Sequence, residues 1–143
     1  MASVIFRSFP MARDEGKVRL FKSYQPGIAD GEQERDFIYI KDVLRVVEFL
    51  LARPNVNGIF NVGTGQASSF NQLGTALLAA LDKKPRLEYF EMPESLRSKY
   101  QYFTQADIGK LHAAGFTAPA TPFPAAVADY VQNYLVPGIG LSS

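Results

Sequence analysis

Residues 35–65 constrain the fold more than any other stretch of the chain. They read RDFIYIKDV, then a run with helical spacing, then GIFNVGTG. Phe37-Ile38-Tyr39-Ile40 is aromatic and β-branched, which predicts a strand. Asp42 follows at a helix entrance, where a carboxylate caps free N–H groups and meets the positive end of the dipole. Val43, Val46, Val47, Leu50 and Leu51 recur on one helical face, and Pro54 and Asn55 stop the run. Ile59-Phe60-Asn61-Val62 predicts a second strand, apolar on both faces like a strand inside a parallel sheet. It ends in the tight turn Gly63-Thr64-Gly65. Such a unit belongs in an α/β sheet with further strands on either side.

With 143 residues and 47% hydrophobic content, the chain can build the core of one domain. A formal charge of +1 provides no general field for nucleic acid or an anionic membrane, so neither is expected as a partner. No apolar run reaches the ~18 residues of a membrane span. The first six residues lack the basic stretch and long apolar core of a signal peptide. The absence of cysteine excludes disulfides and thiolate metal sites, and one histidine, His112, is no basis for a zinc centre. The class is a soluble globular domain, consistent with the cytoplasm.

Along the rest of the chain, residues 1–13 predict a helix with Val4, Ile5, Phe6, Phe9 and Met11 on its apolar face, kinked or ended at Pro10. A chain that enters a helix with no cap before it is expected to have sequence upstream, which makes Met1 an internal methionine. Val18-Arg19-Leu20-Phe21 alternates as a short strand, and residues 22–34 form a polar loop with turns at Pro26-Gly27 and Asp30-Gly31. Ser68 or Ser69 caps a helix whose core face uses Phe70, Leu73, Leu77, Leu78 and Leu81. Residues 86–90 predict a third main strand. Residues 106–114 predict a helix ending at Gly115, and residues 122–135 one capped by Thr121 and opened by Pro122. A loose tail is expected over residues 137–143, with no repeat and no linker, so residues 1–143 form one unit.

Gly63-Thr64-Gly65 lacks both the third glycine of a dinucleotide fingerprint and the Lys-Ser/Thr of a P-loop, so it reads as a tight turn rather than a phosphate cradle. No Tyr-x-x-x-Lys occurs in the chain. That spacing sets an ammonium beside a phenol and lowers its pKa for proton transfer, so an acid–base centre of this kind lies elsewhere or is missing. His112 reads as a solvated surface residue. Arg35 stands at a strand start after a polar loop, where its fork can meet a diphosphate or pair with Glu32 or Glu34. Arg97, Lys99 and Tyr100, with Tyr102 and Phe103 behind, suit a phosphate beside a base or sugar, or a solvated helix end over a core ring. Residues 21–24 at a strand exit are open to a polar ligand.

RDFIYIKDV and GIFNVGTG together resemble the extended short-chain dehydrogenase/reductase family, the nucleotide-sugar epimerases and dehydratases. The segment YQYFTQADIGKLHAAGF, with MASVIF at the start and Ser69-Phe70, is similar to one branch, the ADP-heptose 6-epimerases. The resemblance covers nearly the whole chain and corresponds to somewhat under half of such an enzyme. It implies an α/β fold: the C-terminal, substrate-binding portion of a Rossmann-type enzyme whose N-terminal half holds NADP and the catalytic tyrosine and lysine. It also implies a substrate, ADP-heptose, inverted at C6 by transient oxidation and reduction for lipopolysaccharide core synthesis, in soluble cytoplasmic homo-oligomers.

By the same resemblance, Arg35 and Tyr100 match substrate-binding positions. Phe21, Lys22, Ser23 and Tyr24 fall where the family lines the nucleotide site, although Lys22 and Tyr24 depart from its Phe-Glu-Gly-Ser. Arg7 stands where some members carry histidine, and the loop over residues 25–34 is longer than theirs. No catalytic, cofactor-binding or metal residue is expected within the chain, and a further family lysine is expected just upstream of Met1. The alternatives are a sister epimerase or dehydratase and a non-catalytic sugar-nucleotide-binding or interaction domain. Strands that belong to a larger sheet leave apolar surface uncovered, so self-association or rearranged packing is expected of this chain alone.

Overall fold

The computed structural model describes residues 3–139. The start of the opening helix at residues 1–2 and the end of the expected loose tail at residues 140–143 lie outside them. Helix α1 (Val4–Glu15) begins at Ser3, whose Oγ accepts from the Phe6 N–H at 3.0 Å. The expectation of an uncapped start is therefore wrong: Ser3 is an ordinary N-cap. The helix also continues past Pro10, which sits on the exposed side, and ends at Gly16.

Strand β1 (Val18–Phe21) pairs in parallel with β4 (Leu87–Phe90), from Val18 opposite Leu87 to Phe21 opposite Phe90. Alternation sends Val18 and Leu20 into the core and leaves Arg19 and Phe21 on the other face. Helix α3 (Phe70–Ala79) is opened by a capping box: Ser69 Oγ accepts from the Gln72 N–H at 3.2 Å, and Gln72 Oε1 accepts from the Ser69 N–H at 2.8 Å. Its Leu77 and Leu78 join Phe9 and Ala12 of α1, Val18 and Leu20 of β1, and Val127, Val131 and Leu135 in the core. The last three come from α6 (Phe123–Tyr130) and its π-helical continuation Val131–Leu135. Residues 137–139 carry on the same turns, with Ile139 N–H donating to Tyr134 O at 2.9 Å, so the described part of the expected tail is hydrogen-bonded.

A second, small sheet places β2 (Glu34–Arg35) between antiparallel β3 (Ser68–Ser69) and parallel β5 (Phe103–Thr104). The strand expected over residues 37–40 is displaced: the ladder stops at Arg35, and residues 37–39 run irregularly into α2 (Ile40–Leu51). The strand expected over residues 59–62 is not formed: no described strand pairs with it, and residues 107–110 meet it only through the side chains of Asn61 and Lys110. Ile59 is 88% exposed. Helix α4 (Glu94–Arg97) was not anticipated, and α5 (Gly109–Ala113) is shorter than the expected run over 106–114.

Two carboxylates fasten these pieces. Asp42 is buried in the first turn of α2 and does not cap it. It accepts from the N–H and hydroxyl of Thr121, at 2.9 and 2.7 Å, and pairs with Arg45. Thr121 is thereby spent on Asp42, and α6 starts without a side-chain cap. Asp36, just past β2, accepts four bonds: Thr64 Oγ1 at 2.6 Å, and the N–H groups of Thr64, Gly65 and Ala106 at 2.9, 3.0 and 3.1 Å. Its own N–H donates to Thr104 O at 2.9 Å. A Cβ on Gly63 would collide with this carboxylate and with Ala106 Cβ, so the glycine is needed for the close approach. Burial pushes Asp36 up, but the bonds from Thr64, Ala106 and Gly65 outweigh it and hold the carboxyl below its usual range.

Asp36→Asn should therefore cost about 1–3 kcal/mol in urea unfolding at pH 7, because an amide nitrogen faces donors that need an acceptor. A carboxyl depressed in the folded state contributes stability that is fully present above the unfolded pKa of about 4 and is lost as pH falls through the folded value. The gap between parent and variant should narrow on acidification below about pH 4; a gap that does not change with pH would contradict this role. The exposed α2 residues Ile40, Leu44, Val47 and Leu51 form an apolar stripe at helical spacing, where the expected core face retains only Val46 as a buried residue. Sedimentation velocity should show concentration-dependent association and binding of a hydrophobic dye, both reduced by Leu44→Glu with Leu51→Glu. A dilute monomer that binds no dye would contradict this.

Candidate functional site

The outer face of the β1–β4 ribbon meets the end of β2 in a track of rings and guanidinium groups. Phe21 lies 4.8 Å, centroid to centroid, from Phe90 and meets Tyr100 edge-on at 6.2 Å. Tyr100 meets Tyr102 at 5.3 Å. Arg35 lies 5.2 Å from the Tyr100 ring and 5.9 Å from Phe70. Arg97 stacks 3.8 Å from the Tyr24 ring, and Tyr24 N–H donates to Tyr102 Oη at 3.1 Å. Residues 79 positions apart in sequence, Phe21 and Tyr100, thus share one surface.

Arg35 makes no ion pair among the described residues. Its Nη1 donates to Glu34 O at 2.7 Å and its Nη2 to Gln101 O. Neither Glu32 nor Glu34 offers it a carboxylate, so the surface-pair alternative is not realised. Two carbonyls fix the fork without cancelling its charge, which leaves a positioned cation facing a phenol. Burial pushes the Tyr100 hydroxyl up, Arg35 opposes and Tyr102 adds to the rise, so the phenol keeps its proton at neutral pH.

Of the other expected residues, Lys22 is tied to Glu91 at 2.6 Å. The Ser23 N–H donates to Asp30 Oδ1 at 2.7 Å. Arg7 stands apart from Arg35, in a recess with Ser8, Met11, Arg19 and Phe90. His112 is exposed, at the rim of a cleft of about 380 Å³ between α2, α5 and the stretch before α6. Asp36, Gln33, Arg19 and Phe90 were not singled out from sequence. Gln33 is buried and its Nε2 donates to the carbonyls of Phe21 and Lys22 at 3.4 and 3.3 Å, holding the strand exit in place. The alternation of β1 already set Arg19 on the Phe21 face; nothing in the sequence signalled Gln33 or the reach of Asp36.

The residues present do not fit a nicotinamide dinucleotide. The N–H groups of Thr64 and Gly65 in the glycine turn are consumed by Asp36, the anion already there. Tyr39 and Lys41 are close, with Nζ 5.7 Å from the ring, but the pair is set against proton transfer. Burial and the hydrogen bond to Asp129 push the Tyr39 phenol up to about 12, while Lys41, Tyr39 and Asn133 hold Asp129 down at about 2. Among the described residues no cluster of His, Asp or Glu could hold a metal, and no helix is long and apolar enough to cross a membrane. Asp129→Asn should lower Tyr39 towards the ordinary value of about 10, with burial keeping it somewhat above. A tyrosine ring-carbon NMR titration would follow this, and an unchanged Tyr39 would contradict the assignment.

The model of the NAD dependent epimerase/dehydratase family matches residues 1–63. An ADP-L-glycero-D-manno-heptose-6-epimerase of Nitratidesulfovibrio vulgaris is 50% identical over 135 residues, and one of Fusobacterium nucleatum 45% identical over 141 residues. Each match covers 94% of this chain and 42% of the relative, so the chain spans under half the length of these curated relatives. The crystal structure of Helicobacter pylori ADP-L-glycero-D-manno-heptose-6-epimerase superposes with a TM-score of 0.69 at 28% identity, covering 93% of this chain and 38% of that one. The α/β fold expected from the sequence is the one found. In sequence and fold the chain is thus similar to a C-terminal portion of the Rossmann-type nucleotide-sugar epimerases and dehydratases.

Proposed function

We propose that this chain is the substrate-binding portion of an ADP-heptose 6-epimerase, the enzyme that converts ADP-D-glycero-D-manno-heptose to its L-glycero form for lipopolysaccharide core synthesis. The observation that carries the reading is the convergence of Arg35, Tyr100 and Phe21 on one surface, with the guanidinium held by carbonyls and unpaired by any described carboxylate. Relatives 45–50% identical that bear this name support the choice of branch.

In this reading Arg35 binds the diphosphate of the nucleotide sugar as a charge-assisted fork. The protonated Tyr100 donates to a ligand oxygen beside it, Phe21 and Tyr24 pack against the nucleoside, and Lys22 and Ser23 border it. When bound, a nicotinamide cofactor, NADP by family resemblance, supplies the hydride chemistry from the length of the relatives that this chain does not span. The apolar stripe of α2 and the unpaired segment at residues 59–62 are where that remaining part docks. The chain alone binds and orients substrate without turning it over, and the whole enzyme works as a cytoplasmic homo-oligomer.

Calorimetric titration with ADP and ADP-heptose tests this. Arg35→Ala and Tyr100→Ala should each weaken binding about tenfold or more, as expected for loss of a charge-assisted contact and of a packed ring. Binding untouched by both variants would overturn the assignment of this surface.

A further inference from the structure

The track does not end at Phe90. Arg19 lies 4.7 Å from the Phe90 ring, and Arg19, Arg7, Ser8, Met11 and Phe90 line a recess of about 200 Å³. The residue opposite Arg19 across the parallel ladder is Glu88, the obvious counter-charge. Glu88 is already engaged, by Arg86 at 2.9 Å and Lys17 at 3.3 Å. Among the described residues neither Arg7 nor Arg19 makes an ion pair. Two arginines line one small concavity, with an aromatic wall and no acid.

Like charges gathered without a counter-ion repel one another, and an anion seated between them relieves the repulsion. A guanidinium stacked on a ring keeps its N–H edge free for a planar, two-point contact with oxygens. Arg35 stands at the opposite end of the rings, so the surface is cationic at both ends and aromatic between.

We propose that Arg7 and Arg19 form a second anion subsite, separate from Arg35, that takes a phosphate group. The phosphate is either free or carried by a nucleotide with a phosphate beyond its 5′ chain. The subsite stands on the recess and its unpaired charges, and does not depend on the Arg35 reading.

Amide NMR of the 143-residue chain, titrated separately with inorganic phosphate, AMP and adenosine 3′,5′-bisphosphate, tests it. Phosphate should shift resonances around Arg7 and Arg19 saturably. Arg19→Met, which keeps an apolar stem over Phe90, should weaken that response about tenfold. Arg35→Ala should leave it unchanged. Arg7→Met should weaken it as well, giving a second variant on an exposed position. A bisphosphate that binds more tightly than AMP in the parent, and equally in Arg19→Met, identifies the ligand-borne phosphate as the occupant. Equal binding of the two nucleotides, with the phosphate response retained, identifies the free anion. A phosphate response that persists in both Arg19→Met and Arg7→Met, or none in the parent, would overturn the subsite. Failure of ADP to depend on Arg35 would instead count against the nucleotide-sugar reading alone.

Discussion

The arrangement of the candidate site rests on one carboxylate. Asp36 accepts four hydrogen bonds from Thr64, Gly65 and Ala106, and so draws together the end of β2, the glycine turn and the stretch after β5. A turn with free N–H groups would attract a phosphate. Here the anion is internal and covalently supplied, so the turn is structural. The same contact anchors the strand one residue earlier, where Arg35 projects beside Tyr100. Structural support and the proposed ligand contact thus fall on adjacent residues.

Other polar side chains repeat this logic. Gln33 uses its amide to hold the carbonyls of Phe21 and Lys22, and Asp30 takes the N–H of Ser23. The strand exit that would line the nucleotide is therefore fixed by its own loop, which keeps the ordering cost of binding low. By contrast, Tyr39, Lys41 and Asp129 satisfy one another, and their pKa shifts run away from neutrality. A proton shuttle near pH 7 needs the opposite tuning.

The sequence reveals elements that are complete within themselves and misleads where an element needs a partner. Helix α3 was readable because its capping box and leucine spacing are local, and β1 and β4 because they find each other inside the chain. Residues 59–62 have the composition of a buried strand, but composition cannot supply the neighbouring ladder, and Ile59 stands in the open. The apolar positions of α2 mislead in the same way: their spacing signals a helix and a covered face, while Val47 and Leu51 remain exposed. Arg35 and Tyr100 came from resemblance, and the structure brings them together. Asp36 and Gln33 escaped notice because a side chain that bonds backbone groups across tens of residues leaves no local pattern.

On the proposed reading, the ligand anion goes to the Arg35 end of the aromatic track and not to the glycine turn. Mapping the amide shifts of the chain on titration with ADP tests this most directly. Saturable shifts are expected to cluster at Phe21, Arg35 and Tyr100, with Thr64 and Gly65 unmoved behind Asp36. Shifts centred on Thr64 and Gly65, with Arg35 and Tyr100 silent, would contradict it.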